Sequence, residues 1–279
     1  MKLKIDHVAI AGSRLEPLQS ALADAGLATD YGGPHSNGVT HMSLLGFDDG
    51  SYIELISSLR PDRVSPWWHE HIVGDGGPCA WALETDDVAA EAQRARALGI
   101  TVAGPTHVFR DRPDGTRVEW DQVILGDHGM GALLPFVLKD RTPRHYRVKP
   151  SVSVAGTELK AVGLVVLGIA DLDRASKLFQ HLYDLPLPTV CKSSSFAATV
   201  AHFENQPFAL ATPSGPQGWL HKRLMRLGDS PCACLIGTTD FAASKKRFLL
   251  GKVETWFDRQ VAWFGTAAFD RLKIGLVEL

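Results

Sequence analysis

One order of local patterns recurs four times along this chain: an apolar strand, an amphipathic helix, then three further strand-like runs. A unit of that size cannot bury its own apolar face, so repeated copies must pack on one another. The first copy opens with the strand Lys4 to Ala11 and continues into LEPLQSALADAG, a helical pattern stopped at Gly26. A Gly/Pro-rich connection, YGGPHSNG, then leads to a hairpin over Val39 to Ser57. The second copy runs PCAWALET, then a helix DDVAAEAQRARALG with Asp86 or Asp87 at its cap, then ITVAGPTHVFR, TRVEWDQVIL and GALLPFVL. The third has LKAVGLVVLGI, the helix DLDRASKLFQHLYDL, and strands around PTVCK, FAATVAHF and PFALAT. The fourth has SPCACLIGT, the helix DFAASKKRFLLG, and strands KVETWF, VAWFGTAAF and LKIGLVEL.

The copies match in alternation. PCAWALETDDVAA aligns with PCACLIGTTDFAA without a gap, and the stretch from Lys4 aligns with that from Lys160, bringing Gly12 onto Gly168. The reading is an α+β chain of four βαβββ modules paired into two domains, residues 1–145 and 151–279. The polar linker KDRTPRHYRVKPS lies between them. A length of 279 residues is ample for two such domains.

Within the first hairpin, Asp49-Gly50 suits the positive φ angles of a two-residue turn, and Glu54 lies between Ile53 and Leu55. A carboxylate in a buried strand must be paired, hydrogen-bonded or metal-bound, because an isolated buried charge is too costly to desolvate. His7, in the opening strand, is the expected partner. The pair is either a structural hydrogen bond or the centre of a pocket on the concave face of a sheet. A two-residue turn would place Glu54 opposite Leu45 and His41 opposite Ser58. His41 and Glu54 would then share a face but stand about 13 Å apart at strand rise, too far for one ion. His41 is read instead as a substrate contact at the rim. Arg112, in the turn Arg112-Pro113-Asp114-Gly115, is a candidate anion contact, and Trp120 a candidate wall of the pocket. The stretch Pro66-Trp67-Trp68-His69-Glu70-His71 is expected to cover the pocket or to join the domains.

A formal net charge of −2 gives no electrostatic case for nucleic acid or an anionic membrane as partner. No apolar run is long enough to span a bilayer, and the N-terminus lacks a signal-peptide pattern, so a cytoplasmic protein is expected. The four cysteines lie in or beside apolar runs and are expected as reduced thiols.

The stretches DHVAIAG, GVTHMSLLGFDDGSYIELI, WALETDDVAAEAQRARALGI, RPDGTRVEWDQVIL and LPFVL resemble the glyoxalase-like branch of the vicinal oxygen chelate superfamily, which includes glyoxalase I, extradiol dioxygenases and bleomycin-resistance proteins. The resemblance covers about residues 3 to 140. The second half resembles the superfamily more weakly, through GLVVLGIADLDRASKLF and the module order. It implies that two modules curve into a cup whose metal ligands come from first and last strands. His7 and Glu54 match those positions. Ala80, Leu134 or Pro135, Gly163 or Leu164, and Ala233 stand at the others, and only Glu278 again offers an acid. A typical site of the superfamily uses three or four protein ligands, and this chain offers two together.

Two functions follow from this. The first is a metal-assisted enzyme, a lyase, isomerase or dioxygenase, acting on a small oxygenated molecule. His7 and Glu54 would be ligands of one divalent ion (zinc, iron or manganese), with Glu54 also a candidate base. The second is a metal-free protein that binds or sequesters a small molecule. A second copy of the chain is a candidate partner in either case. The cup of the C-terminal half is expected to be apolar or occluded.

Overall fold

The computed structural model describes residues 2–279. The first half contains β1 (Lys4–Ala11), α1 (Leu15–Asp24), β2 (Asp30–Pro34), β3 (Thr40–Gly46), β4 (Tyr52–Ser58), α2 (His69–Val73), β5 (Gly77–Glu84), α3 (Val88–Ala97), β6 (Val102–Asp111), β7 (Arg117–Leu125), β8 (Phe136–Asp140) and the one-turn α4 (Arg144–Arg147). The second half contains β9 (Leu159–Gly168), α5 (Leu172–Tyr183), β10 (Thr189–Ser193), β11 (Ala198–His202), β12 (Phe208–Pro213), α6 (Trp219–Leu227), β13 (Ser230–Thr238), α7 (Phe241–Arg247), β14 (Glu254–Trp256), β15 (Arg259–Trp263), α8 (Ala267–Leu272) and β16 (Ile274–Glu278). Asp87, Asp171 and Asp240 cap α3, α5 and α7 by accepting hydrogen bonds from backbone amides of the first turn.

Two curved eight-stranded mixed sheets result, in the orders β2-β3-β4-β1-β5-β8-β7-β6 and β10-β11-β12-β9-β13-β16-β15-β14. Each is a pair of four-stranded modules joined edge to edge through an antiparallel contact, β1 with β5 and β9 with β13. The repeated module order of the sequence is therefore realised in both halves. No helix among the described residues is long and apolar enough to cross a membrane.

One face of each sheet contributes to a shared core. Val8, Ile10, Leu55 and Trp81 of the first half belong to the same buried cluster as Val165, Leu167, Phe208 and Ile236 of the second. The Trp81 ring lies 5.4 Å from that of Phe208 and 6.2 Å from that of Phe179. The opposite faces differ. In the first sheet that face is lined by small side chains, Ala9, Ala11, Ala80 and Ala82, which leave a hollow. In the second sheet the hollow is filled: Phe196 stacks on Trp263 at 4.8 Å and meets Trp219 and Trp256 edge-on.

Three local expectations are corrected. The hairpin loop has three residues, not two, since the Phe47 amide donates to the Ser51 carbonyl and Gly50, at φ +86°, closes the turn. Glu54 consequently pairs with Leu44, and His41 with Ser57. Residues 267–269, expected as the end of the strand VAWFGTAAF, belong instead to α8. Leu134 and Pro135 precede β8, where Phe136 pairs with Ala82 as Glu54 in β4 pairs with Ala9.

Candidate active site

The hollow of the first sheet is a slot lined by His7, His35, Tyr52, Glu54, Arg110 and Arg147, with Trp67, Trp68, Trp120 and Phe136 among its walls. It is narrow, with a cavity volume of about 70 Å³. Such a shape suits a flat small molecule and nothing bulky.

His7 is positioned by an irregularity in β1. Ile5 pairs with Leu83 and His7 with Ala82, so Asp6 is an extra residue with no partner on β5. Regular alternation would send Asp6 and His7 to opposite faces; the bulge lets them meet. The Asp6 carboxylate lies 2.6 Å from His7 Nδ1. With Nδ1–H donated there, Nε2 carries the ring's lone pair. The imidazole is clamped between Tyr52, stacked at 4.6 Å, and Phe136, edge-on at 5.2 Å.

Asp6 is fully buried and is held in turn by the linker between the sheets. Arg147 reaches its two oxygens at 3.0 and 2.7 Å, and Arg144 reaches Oδ2 at 2.7 Å. Arg147 also pairs with Asp140, and Arg144 with Asp140 and Glu84. Burial alone would raise the Asp6 carboxyl, but Arg147, His7 and Arg144 together hold it far below the usual carboxylate range. Burial pushes the Tyr52 hydroxyl well above its ordinary value, so it stays a phenol.

Glu54 shares the face of His7, since Ala9 pairs with Glu54 and His7 with Tyr52 in the parallel β1–β4 ladder. Its closest ionisable neighbour, however, is His35, whose Nε2 lies 3.4 Å from Oε1. His35 is fixed through Nδ1 to the Thr40 hydroxyl at 2.9 Å and meets the Trp67 ring edge-on. Burial works to raise the Glu54 carboxyl, yet hydrogen bonding and charge from His35, then His7 and Arg110, hold it below the ordinary value.

His41 is not a rim contact. The three-residue loop shifts its register by one, which turns it to the opposite face, where it meets the Ser57 hydroxyl at 2.8 Å and lies beside Tyr31. Arg112 lies outside the slot as well and donates to the Tyr146 carbonyl. Arg110, two residues earlier, lines the slot, together with Trp120 and Gln122 from β7. Trp67 and Trp68 do cover it, and Trp68 is anchored through Nε1–H to the Met130 carbonyl at 2.7 Å. His69 and His71 lie on α2, where residues two apart diverge. His71 is held down to about 4 by burial and by Arg223 and Arg226. Glu278 accepts hydrogen bonds from Gln260. His35, Arg110 and Arg147 carry no local sequence signal; each reaches the slot only through the folded arrangement.

The profile of the glyoxalase-like domain family matches residues 5–183. The chain belongs to this family. Among solved structures, a hypothetical protein from Staphylococcus aureus is 14% identical with a TM-score of 0.63, the alignment covering 99% of each chain. A mutant of 4-hydroxymandelate synthase from Streptomyces coelicolor is 12% identical with a TM-score of 0.67, covering 99% of this chain and 92% of the other. These likenesses show the same fold over both halves. No curated protein sequence matches the chain.

The metal ligands that the vicinal oxygen chelate resemblance implies are only half present in this glyoxalase-like protein. In the second module Ala80 and Phe136 stand at the positions that correspond to His7 and Glu54, and neither of these can coordinate an ion. Among the described residues no three His, Cys, Asp or Glu side chains are grouped to hold a metal. The donors present do not fit a site of three or four protein ligands. In the second half the register places Leu164 and Ala209 where His7 and Glu54 stand, and the bulged residue is Gly163 in place of Asp6.

Proposed function

We propose that the slot is the active site of an enzyme that moves a proton on a small, flat, oxygen-bearing molecule, with His7 Nε2 as the proton acceptor. The observation that supports this is the Asp6–His7 contact, which fixes the ring and its tautomer in the way a base needs. Asp6 orients; Arg147 and Arg144 keep it ionised. Glu54, held as a carboxylate, accepts a hydrogen bond from a substrate hydroxyl. The Gln122 amide, whose oxygen is taken by Trp120 at 3.3 Å, keeps N–H donors for an oxygen on which negative charge develops. The aromatic walls exclude water and hold the body of the molecule flat. No step of this reading passes through a metal.

The test is hydrogen exchange. The protein is incubated in D2O with a panel of small hydroxy- and oxo-compounds, and loss of C–H signal is followed by NMR. Exchange into one class is expected, falling by about 10²- to 10⁴-fold in His7→Gln. Exchange that is undiminished in that variant would refute the assignment. The aromatic lining also favours a second reading, binding without turnover; a compound that quenches tryptophan fluorescence and never exchanges would support that one. Metal analysis of protein purified without chelators or a His-tag checks the two-donor description. Stoichiometric zinc, iron or manganese would show that the donor set is larger than His7 and Glu54.

A further inference from the structure

Arg110 is the one buried cation of the slot whose own charge is left without a carboxylate in contact. Arg144 and Arg147 are both paired, with Asp6, Asp140 and Glu84 between them. Arg110 is only 6% exposed, yet no described carboxylate comes within ion-pair distance of it. Its two hydrogen bonds go to backbone carbonyls, from Nη1 to Gly32 at 2.9 Å and from Nη2 to Arg147 at 3.2 Å. A guanidinium has five N–H donors, so three remain. Glu54 lines the same slot but is engaged by His35.

We infer that Arg110 is the binding site for the carboxylate of the ligand, and that the slot takes a small organic monocarboxylate with a flat, apolar body. A buried cation held only by carbonyl oxygens is a costly arrangement, and an anion arriving in the slot relieves it. The planar guanidinium edge matches a carboxylate geometrically, two N–H groups to two oxygens. Trp120, on the strand beside Arg110, and Trp67, against His35, give the apolar body aromatic surfaces to lie on. Charge fixes the orientation. The carboxylate is drawn to Arg110 and repelled by Glu54, so the rest of the molecule extends along the slot toward Glu54 and His7. This inference rests on the slot being the functional site proposed above, and it names the ligand class that the site takes.

The test compares benzoate with benzamide, which have the same shape and differ in charge. Binding is read by quenching of tryptophan fluorescence and by titration calorimetry. Benzoate is expected to bind about 10- to 100-fold more tightly, the range of a charge-assisted pair. Arg110→Gln should abolish that preference, and Arg110→Lys, which keeps the charge, should restore part of it. Circular dichroism of each variant confirms that it is folded, and the Lys variant stands in should Gln not fold. Equal affinities, a preference that survives Arg110→Gln, or failure of benzoate to bind would each overturn the inference. The two readings fail separately. Benzoate preference with no proton exchange in any compound sinks the proton-transfer assignment alone, whereas His7-dependent exchange with no charge preference sinks this one alone.

Discussion

Replacing Arg147 by Met tests whether the linker holds up the site. Arg147 is 4% exposed and makes three short contacts, 3.0 and 2.7 Å to Asp6 and 2.6 Å to Asp140. Removing one partner of a buried ion pair leaves an uncompensated charge and costs about 3–5 kcal/mol. Arg144 remains 2.7 Å from Asp6, which argues for the lower end, about 3 kcal/mol. At about 2–4 °C per kcal/mol for a chain of this size, thermal unfolding should shift down by about 6–12 °C near pH 7. The deficit should also depend on pH. In the native protein Asp6 is depressed below its ordinary value near 3.8, so its stabilising contribution is present above that value and is lost as pH falls. Without Arg147 the buried carboxyl takes up a proton more readily, so the gap between the two proteins should narrow below about pH 4. Asp6→Asn combined with Arg147→Met should recover much of the loss, because both charges are then gone. A shift below about 2 °C, or one of equal size at both pH values, would refute the account of the linker as a buried electrostatic clamp.

Other perturbations separate the parts. Glu54 is held below its ordinary value near 4.5, so its contribution is present above that pH and lost as pH falls; Glu54→Gln should flatten the acid limb of a stability–pH curve, and an unchanged limb would count against the His35 contact. Phe196→Ala, in the filled hollow of the second sheet, should cost about 3–5 kcal/mol in denaturant unfolding while ligand affinity in the first sheet stays within twofold or so. Gly163→Ala should destabilise by about 1–3 kcal/mol, because its Cβ would stand 2.7 Å from Val277 and 2.8 Å from the Gly237 backbone; a neutral result would show that β9 can shift to admit it.

The module order was legible because it depends on periodicity and stop signals, which every copy carries. Gly26, Asp87 and the matching Pro78 and Pro231 segments mark it without reference to the fold. The face of His41 was not, because it turns on one residue in a loop. Asp49-Gly50 reads as a two-residue turn, but the Asp49 side chain accepts from both the amide and the hydroxyl of Ser51, and Asp48 joins the loop. His7 and Glu54 stood out as ionisable groups in apolar strands. Their partners did not. Strict alternation puts Asp6 on the face of Val8 and Ile10, away from His7, and a bulge brings the two together. Arg110 and His35 lie 75 residues apart, and only the closure of the sheet brings them to one slot. Arg147 sits in a polar linker, where an arginine ordinarily signals solvent.

The core common to both sheets has a mechanical consequence. The C-terminal half has Leu164, Ala209 and Gly163 where the first half has its polar side chains, yet it forms the back wall against which Val8, Ile10 and Trp81 are pressed. Cutting the chain in the linker would bare that wall on both pieces and cut next to Arg147 as well. The C-terminal half therefore acts as a brace: a substitution in the shared core is judged by volume, and an ill-fitting one there would be felt as looseness at His7, on the far side of β1.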